Sequence, residues 1–89
     1  MSTEAEEKQM VEDLKQTMLA KLAKNRYKRV RVGTHICSLH TMMSGASCKL
    51  FTAIMGGDSK IIMEKAADVA NFAGRIHDLA KRGLKEEVR

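Results

Sequence analysis

One short run of the chain concentrates the residues best suited to binding an anion. Between positions 21 and 31 the sequence holds six lysines and arginines and no acidic residue. The cations are Lys21, Lys24, Arg26, Lys28, Arg29 and Arg31, and Tyr27 stands among them. Ammonium and guanidinium groups bind phosphates, while an aromatic ring stacks on an unpaired base. The run therefore predicts a nucleic-acid-binding segment, and its arginine and tyrosine content favours RNA over DNA.

The charge of the remaining chain sets this run apart. The formal net charge is +5, so the residues outside the run together carry −1. Residues 1–20 hold five acidic and two basic side chains, a net of −3. A cation cluster this dense favours an anionic partner, which we expect to be nucleic acid. The alternatives are a small regulator or inhibitor that binds a protein partner, a solvated face, and pairing with the acidic first turns of a neighbouring subunit.

A second group of reactive side chains follows the basic run. The spacing of His35, Cys37, His40 and Cys48 is His-x-Cys-x-x-His-x7-Cys. It matches no standard zinc site, so no metal is predicted. Cys37 and His40 are spaced like a thiol and its base, yet no orienting group or oxyanion hole accompanies them, so we expect no enzyme activity. His35 is expected to extend the phosphate track, because helix N-termini present free N–H groups to anions.

A glycine pair precedes a lysine in the stretch Gly56-Gly57-Asp58-Ser59-Lys60. Backbone amides beside a helix start can hold a phosphate, although the spacing of a P-loop is absent. This stretch supports a third hypothesis, an oligomeric module that sequesters anionic nucleotides. No bound cofactor is predicted.

The spacing of apolar residues predicts the helices that carry these side chains. Thr3 with Glu6 forms a capping-box pattern, and the apolar stripe behind it predicts an amphipathic helix over about 4–25. A heptad-like seam predicts a second helix over about 34–55, with Thr34 as its cap. The members of that seam are Ile36, Leu39, Met43, Ala46, Leu50, Ala53 and Ile54.

A similar seam predicts a third helix over about 58–82, capped by Asp58 or its neighbour Ser59 and ended by Gly83. The glycine pair before it would turn the second helix back onto the third. The expected fold is therefore all-α: a three-helix domain built on an antiparallel helical hairpin with an N-terminal amphipathic helix. A loop at 44–47 is the alternative to one continuous second helix, because that stretch is rich in small residues.

The length of the chain predicts one domain, residues 1–89, with the basic junction at 21–31 and a loose tail at 84–89. Seven methionines and only three aromatic residues are available for its core. Methionine fills irregular gaps but specifies a core poorly, so we expect self-association. Self-association would repeat the basic run once per subunit.

The polar, acidic N-terminus lacks the apolar segment of a signal peptide, so we expect a cytoplasmic protein with free thiols at Cys37 and Cys48. Residues 32–57 carry little charge, but they include two histidines, Lys49 and several serines and threonines. No membrane contact is expected, because this stretch is not a continuous apolar run.

Overall fold

A computed structural model of the protein describes residues 3–26 and 35–83. Three helices account for nearly all of them: α1 (Glu4–Lys24), α2 (Ile36–Gly56) and α3 (Ser59–Arg82). No strand occurs in these two ranges. The all-α, three-helix prediction is confirmed. The predicted tail at 84–89 and much of the predicted basic junction lie outside the described residues.

The helix ends follow from local hydrogen bonds. Thr3 caps α1 in the predicted capping box, because its hydroxyl accepts from the Glu6 N–H and the Glu6 carboxylate accepts from the Thr3 N–H. Asp58 caps α3 by accepting from two backbone N–H groups. Gly57 and Gly83 end α2 and α3 at φ of 80° and 81°, a left-handed conformation that glycine adopts without steric cost.

The start of α2 differs from the prediction. His35, and not Thr34, is the N-cap, because the His35 Nδ1 accepts a hydrogen bond from the Cys37 N–H at 3.1 Å. An imidazole nitrogen thus takes the place of the hydroxyl oxygen that usually fills this position.

Helices α2 and α3 form the predicted antiparallel hairpin. Leu39 is 3% exposed in their contact. The other predicted seam residues of α2 are half-buried, except for Ile54, which remains 51% exposed near the turn. The helix continues through Gly45, so the alternative of a loop at 44–47 is wrong.

Helix α1 packs against α3 alone. The Met18 carbonyl accepts a hydrogen bond from the Asn71 side chain at 3.3 Å, and Lys21 pairs with Asp68 at 3.4 Å. The later residue of α1, Lys21, contacts the earlier residue of α3, Asp68, so the two helices run in opposite directions. Within the described parts of the chain α1 makes no contact with α2, so α3 lies between them.

The N-terminal half of α1, residues 4–16, is exposed along its whole length. Its apolar stripe is not covered: Met10 is 62% and Val11 60% exposed. Among the described residues, only Leu39 and Ala67 are fully buried apolar side chains. The hydrophobic core is therefore small. Helix α3 takes part in both helix–helix contacts, one with α1 and one with α2.

Candidate nucleic-acid interface

Lys21 opens the basic run and is held by the fold. Its ammonium pairs with the Asp68 carboxylate at 3.4 Å, and its side chain is only 16% exposed. The pair joins α1 to α3. No local sequence pattern predicts this pairing, because the two residues lie far apart in the chain. A phosphate would have to compete with Asp68 for the Lys21 ammonium.

Lys24 and Arg26 lie at the C-terminal end of α1 and are exposed. Cations are favourable there, because the helix dipole places partial negative charge at the last carbonyl groups. Within residues 3–26 and 35–83, no carboxylate lies in ion-pairing distance of either side chain. No described carboxylate therefore competes with an anionic ligand for either side chain.

The other members of the basic run, Tyr27, Lys28, Arg29 and Arg31, lie outside the described residues. Their predicted roles as a stacking ring and phosphate contacts stay predictions from the sequence.

His35 can still donate a hydrogen bond to a phosphate. Its Nδ1 accepts from the Cys37 N–H, so the neutral imidazole carries its proton on Nε2. The same bond satisfies one N–H group at the start of α2. The predicted anion site at this helix start therefore has one free backbone donor fewer than a bare helix end, and gains an imidazole donor.

The structure does not bring His35 next to Lys24 and Arg26. Helix α1 ends beside the N-terminal half of α3, near Asp68. Helix α2 begins beside the C-terminal end of α3, because the two helices form an antiparallel hairpin that turns at Gly57. These groups are separated by on the order of 20 Å along α3. A ligand that contacts both must extend along the molecule.

The acidic side chains of α1 cannot neutralise the described part of the basic run within one chain. Asp13 precedes Lys24 by about three helical turns, roughly 16 Å. Some of the acids pair locally instead: Glu4 with Lys8 at 3.4 Å and Glu12 with Lys15 at 3.0 Å. Pairing between the acidic turns and Lys24 or Arg26 therefore requires a second chain.

A shallow groove of about 410 Å³ lies between α2 and α3. Its lining includes two lysines, Lys49 and Lys65, and the apolar side chains of Ala53 and Ile61. No carboxylate among the described residues pairs with either lysine. The charge pattern along the chain does not predict this pair. Lys49 and Lys65 each lie eight residues from Gly57, so the antiparallel hairpin places them opposite each other.

The cysteines and histidines of α2 do not assemble a metal site. Cys37 and Cys48 are exposed free thiols. Across the described ranges, no group of three or more histidine, cysteine, aspartate or glutamate side chains could hold a metal ion. In the same ranges, no helix is long and apolar enough to cross a membrane.

Comparison of the chain with models of known protein families, with curated proteins and with solved structures finds no match.

Proposed function

We propose that this protein is a non-enzymatic nucleic-acid-binding protein that prefers RNA to DNA. Its basic run and His35 form the binding surface, which self-association repeats. The residues assigned to phosphate contact are Lys21, Lys24, Arg26, Lys28, Arg29, Arg31 and His35, and Tyr27 is assigned to base stacking. The observation on which this proposal rests is the run of six cations without an acidic residue at positions 21–31.

Two features of the described residues support this proposal. Lys24 and Arg26 are exposed and have no described carboxylate beside them. The nearest acidic residue of α1, Asp13, precedes Lys24 by about three helical turns, which leaves Lys24 and Arg26 to attract an anion from outside that helix. Lys21 is the weakest assignment in the set, because Asp68 already neutralises it.

Salt-dependent binding tests the proposal. We expect the affinity for single-stranded RNA to fall linearly with salt on a double-logarithmic plot, more steeply the more phosphates are neutralised. Replacing Arg26, Lys28, Arg29 and Arg31 with alanine should reduce that slope by about 3, since each single-strand phosphate contributes about 0.7. Fluorescence anisotropy at several salt concentrations measures both slopes, and duplex DNA of the same length tests the preference.

A charge-matched variant controls for nonspecific attraction. Replacing Lys8, Lys15, Lys60 and Lys81 with alanine removes the same charge from exposed positions outside the run. It should leave the slope nearly unchanged. Equal losses in the two variants, or no salt-sensitive binding by the unmodified protein, would refute the proposal and favour a protein partner.

The groove between α2 and α3 supports a second candidate function, binding of an anionic nucleotide. Lys49 and Lys65 would contact the phosphates while Ala53 and Ile61 contact the base. Nucleoside triphosphate should then raise the melting temperature of the unmodified protein, and Lys49→Ala with Lys65→Ala should abolish the rise. A rise that survives both substitutions would exclude the groove as the site.

A further inference from the structure

Helix α2 carries a second seam that faces away from α3, except at Cys48, which also lines the groove between α2 and α3. Its residues recur at the four- and three-residue intervals of a heptad: Cys37, Thr41, Ser44, Cys48, Phe51 and Met55. Every one of them is exposed, and none is charged. The two largest, Phe51 and Met55, are 63% and 70% exposed. Such spacing is typical of a helix that packs against partners on two sides.

No other described element of the chain covers this seam. Helix α2 contacts α3 through its opposite side, and α1 lies beyond α3. Apart from its chain neighbours and the local helix backbone, no described atom comes within 4 Å of the position that a Cβ would take at Gly45, beside the middle of the seam. The small side chains there leave room for another helix to approach closely.

We propose that α2 packs through this seam against α2 of a second copy of the chain, antiparallel and about a two-fold axis level with Ala46. This inference rests on the self-association that the proposed function invokes and gives it a surface. It places the interface on α2, separate from the basic run.

The absence of charge from the seam favours a second copy of the chain as its partner. A two-fold interface brings the same patch of both subunits together, so charged residues near the axis meet copies of themselves. The N-terminal half of α1 has an excess of carboxylates, and pairing it with itself would place like charges together. The seam of α2 avoids this cost, because the single lysine of the helix, Lys49, lies off it.

The order of side-chain sizes favours the antiparallel arrangement. About an axis at Ala46, Cys37 faces the second copy's Met55, and Thr41 faces the second copy's Phe51. In each facing pair a smaller side chain contacts a larger one, so the two helices can keep an even spacing along the seam. A parallel pair would instead stack Phe51 on Phe51 at one end and leave the thiols of Cys37 facing each other at the other.

The size of the seam predicts a weak dimer. Helix α2 has 21 residues, so the seam is about 31 Å long and roughly 10 Å wide, a footprint of about 300 Å². A standard interface buries about 800 Å² per partner. We therefore expect weak association, visible as a mass that rises with concentration.

Sedimentation equilibrium without nucleic acid tests the surface. The apparent mass of the unmodified protein should rise from 9.9 kDa toward twice that value as its concentration increases. Phe51→Glu should hold it at the monomer mass, because two glutamates would enter an uncharged interface. Met63→Glu is the matched control: Met63 is 57% exposed on α3, so dimerisation should persist. Circular dichroism establishes that both variants are folded.

Disulfide cross-linking tests the register. In a Cys37→Ser background, Ser44→Cys should cross-link to the second copy's Cys48 under mild oxidation, whereas Ser47→Cys, exposed but off the seam, should not. In the antiparallel register the two Cys48 residues are offset by about 6 Å along the helices, which puts their Cα atoms about 8 Å apart, beyond the roughly 7 Å that a disulfide allows. A Cys48–Cys48 cross-link in the unmodified protein would overturn the antiparallel register.

A monomer at every concentration, or a Phe51→Glu variant that still dimerises, would refute the proposal that this seam is the dimer interface. Neither result depends on the basic run. A folded, monomeric Phe51→Glu variant that keeps the salt slope for RNA would separate the two proposals, since it removes the dimer and leaves the binding site.

Discussion

The α2–α3 hairpin and the N-terminal half of α1 are stabilised in opposite ways. The hairpin is held by contacts between helices, with Leu39 only 3% exposed. Residues 4–16 of α1 are all exposed, and their side-chain bonds stay within the helix. Those bonds are Lys8–Glu4, Gln9–Asp13, Gln16–Glu12 and Lys15–Glu12, together with the capping bond between Glu6 and Thr3 at the helix start.

This difference shows how stability is distributed along the chain. Each local pair on a helix surface contributes only about 0.2–0.5 kcal/mol, and a short isolated helix is marginal in water. The N-terminal half of α1 therefore depends on the anchor that follows it, where Met18 and Lys21 contact α3. We expect stability to decrease from the hairpin, through this anchor, to the exposed first turns.

The largest predicted effect is at the centre of the hairpin. Leu39→Ala should lower the free energy of unfolding by about 2–5 kcal/mol, because it removes buried methyl groups and leaves a cavity. Met42→Ala, on the same helix at 44% exposure, should cost far less. Urea unfolding followed by circular dichroism at one fixed protein concentration measures both. Equal losses would contradict the idea that the hairpin contact dominates stability.

The second effect is at the anchor of α1. The Asn71 amide donates to the Met18 carbonyl at 3.3 Å, while the Asn71 Oδ1 is buried and has no partner among the described residues. Asn71→Asp replaces the donor with a carboxylate that faces a carbonyl, so we expect a loss of about 1–3 kcal/mol at neutral pH. The loss should shrink in acid, where the protonated carboxyl can donate again.

Asn71→Ala is the control for that prediction. It removes the hydrogen bond and the unpaired oxygen together, so its cost should be smaller than that of Asn71→Asp. Urea unfolding at neutral and acidic pH compares the two variants. A larger cost for the alanine variant would mean that lost packing, and not the amide donor, holds α1 against α3.

Much of the hairpin could be predicted from the sequence, because its signals are local. Asp58 precedes the apolar seam of α3 and Gly83 follows it. These two residues mark the ends of the helix whatever it packs against. The N-cap of α2 was mispredicted because threonine is the common choice and histidine is not. The exposure of Ile54 was missed, since periodicity identifies a face but not how far the contact extends.

The partner of α1 could not be predicted in the same way. Its apolar stripe indicates which face packs, yet the stripe is continuous from Met10 to Leu22 while only its second part meets α3. The pairing of Lys21 with Asp68 joins residues distant in sequence, so no local pattern shows it. The charge of the candidate site was visible in the sequence; the separation of His35 from Lys24 required the helix directions.

The third effect compares two caps of similar intrinsic strength. Asp58→Ala should destabilise the hairpin by about 1 kcal/mol, because two N–H groups at the start of α3 lose their acceptor. Thr3→Ala removes a comparable bond, but from turns that contact little else. Its loss should appear as reduced helicity without a matching fall in the urea midpoint. A midpoint that falls equally in both variants would show that the first turns unfold together with the hairpin.

The smallest effect lies in the N-terminal half of α1 and reports on its local bonds. The hydrogen bond from Gln16 and the contact with Lys15 lower the pKa of Glu12 from its ordinary value of 4.5. The folded pKa lies below the unfolded one, so this stabilisation is present above the unfolded pKa and is lost as the pH falls through the folded value. Gln16→Ala should raise the pKa of Glu12, as followed by NMR of the carboxyl carbon. Gln9→Ala is the control, because the Gln9 amide donates to Asp13 and not to Glu12. It should leave the titration of Glu12 unchanged. If Gln16→Ala also leaves it unchanged, the bond at Glu12 does not form in solution, and the first turns of α1 would depend entirely on the anchor at Met18 and Lys21.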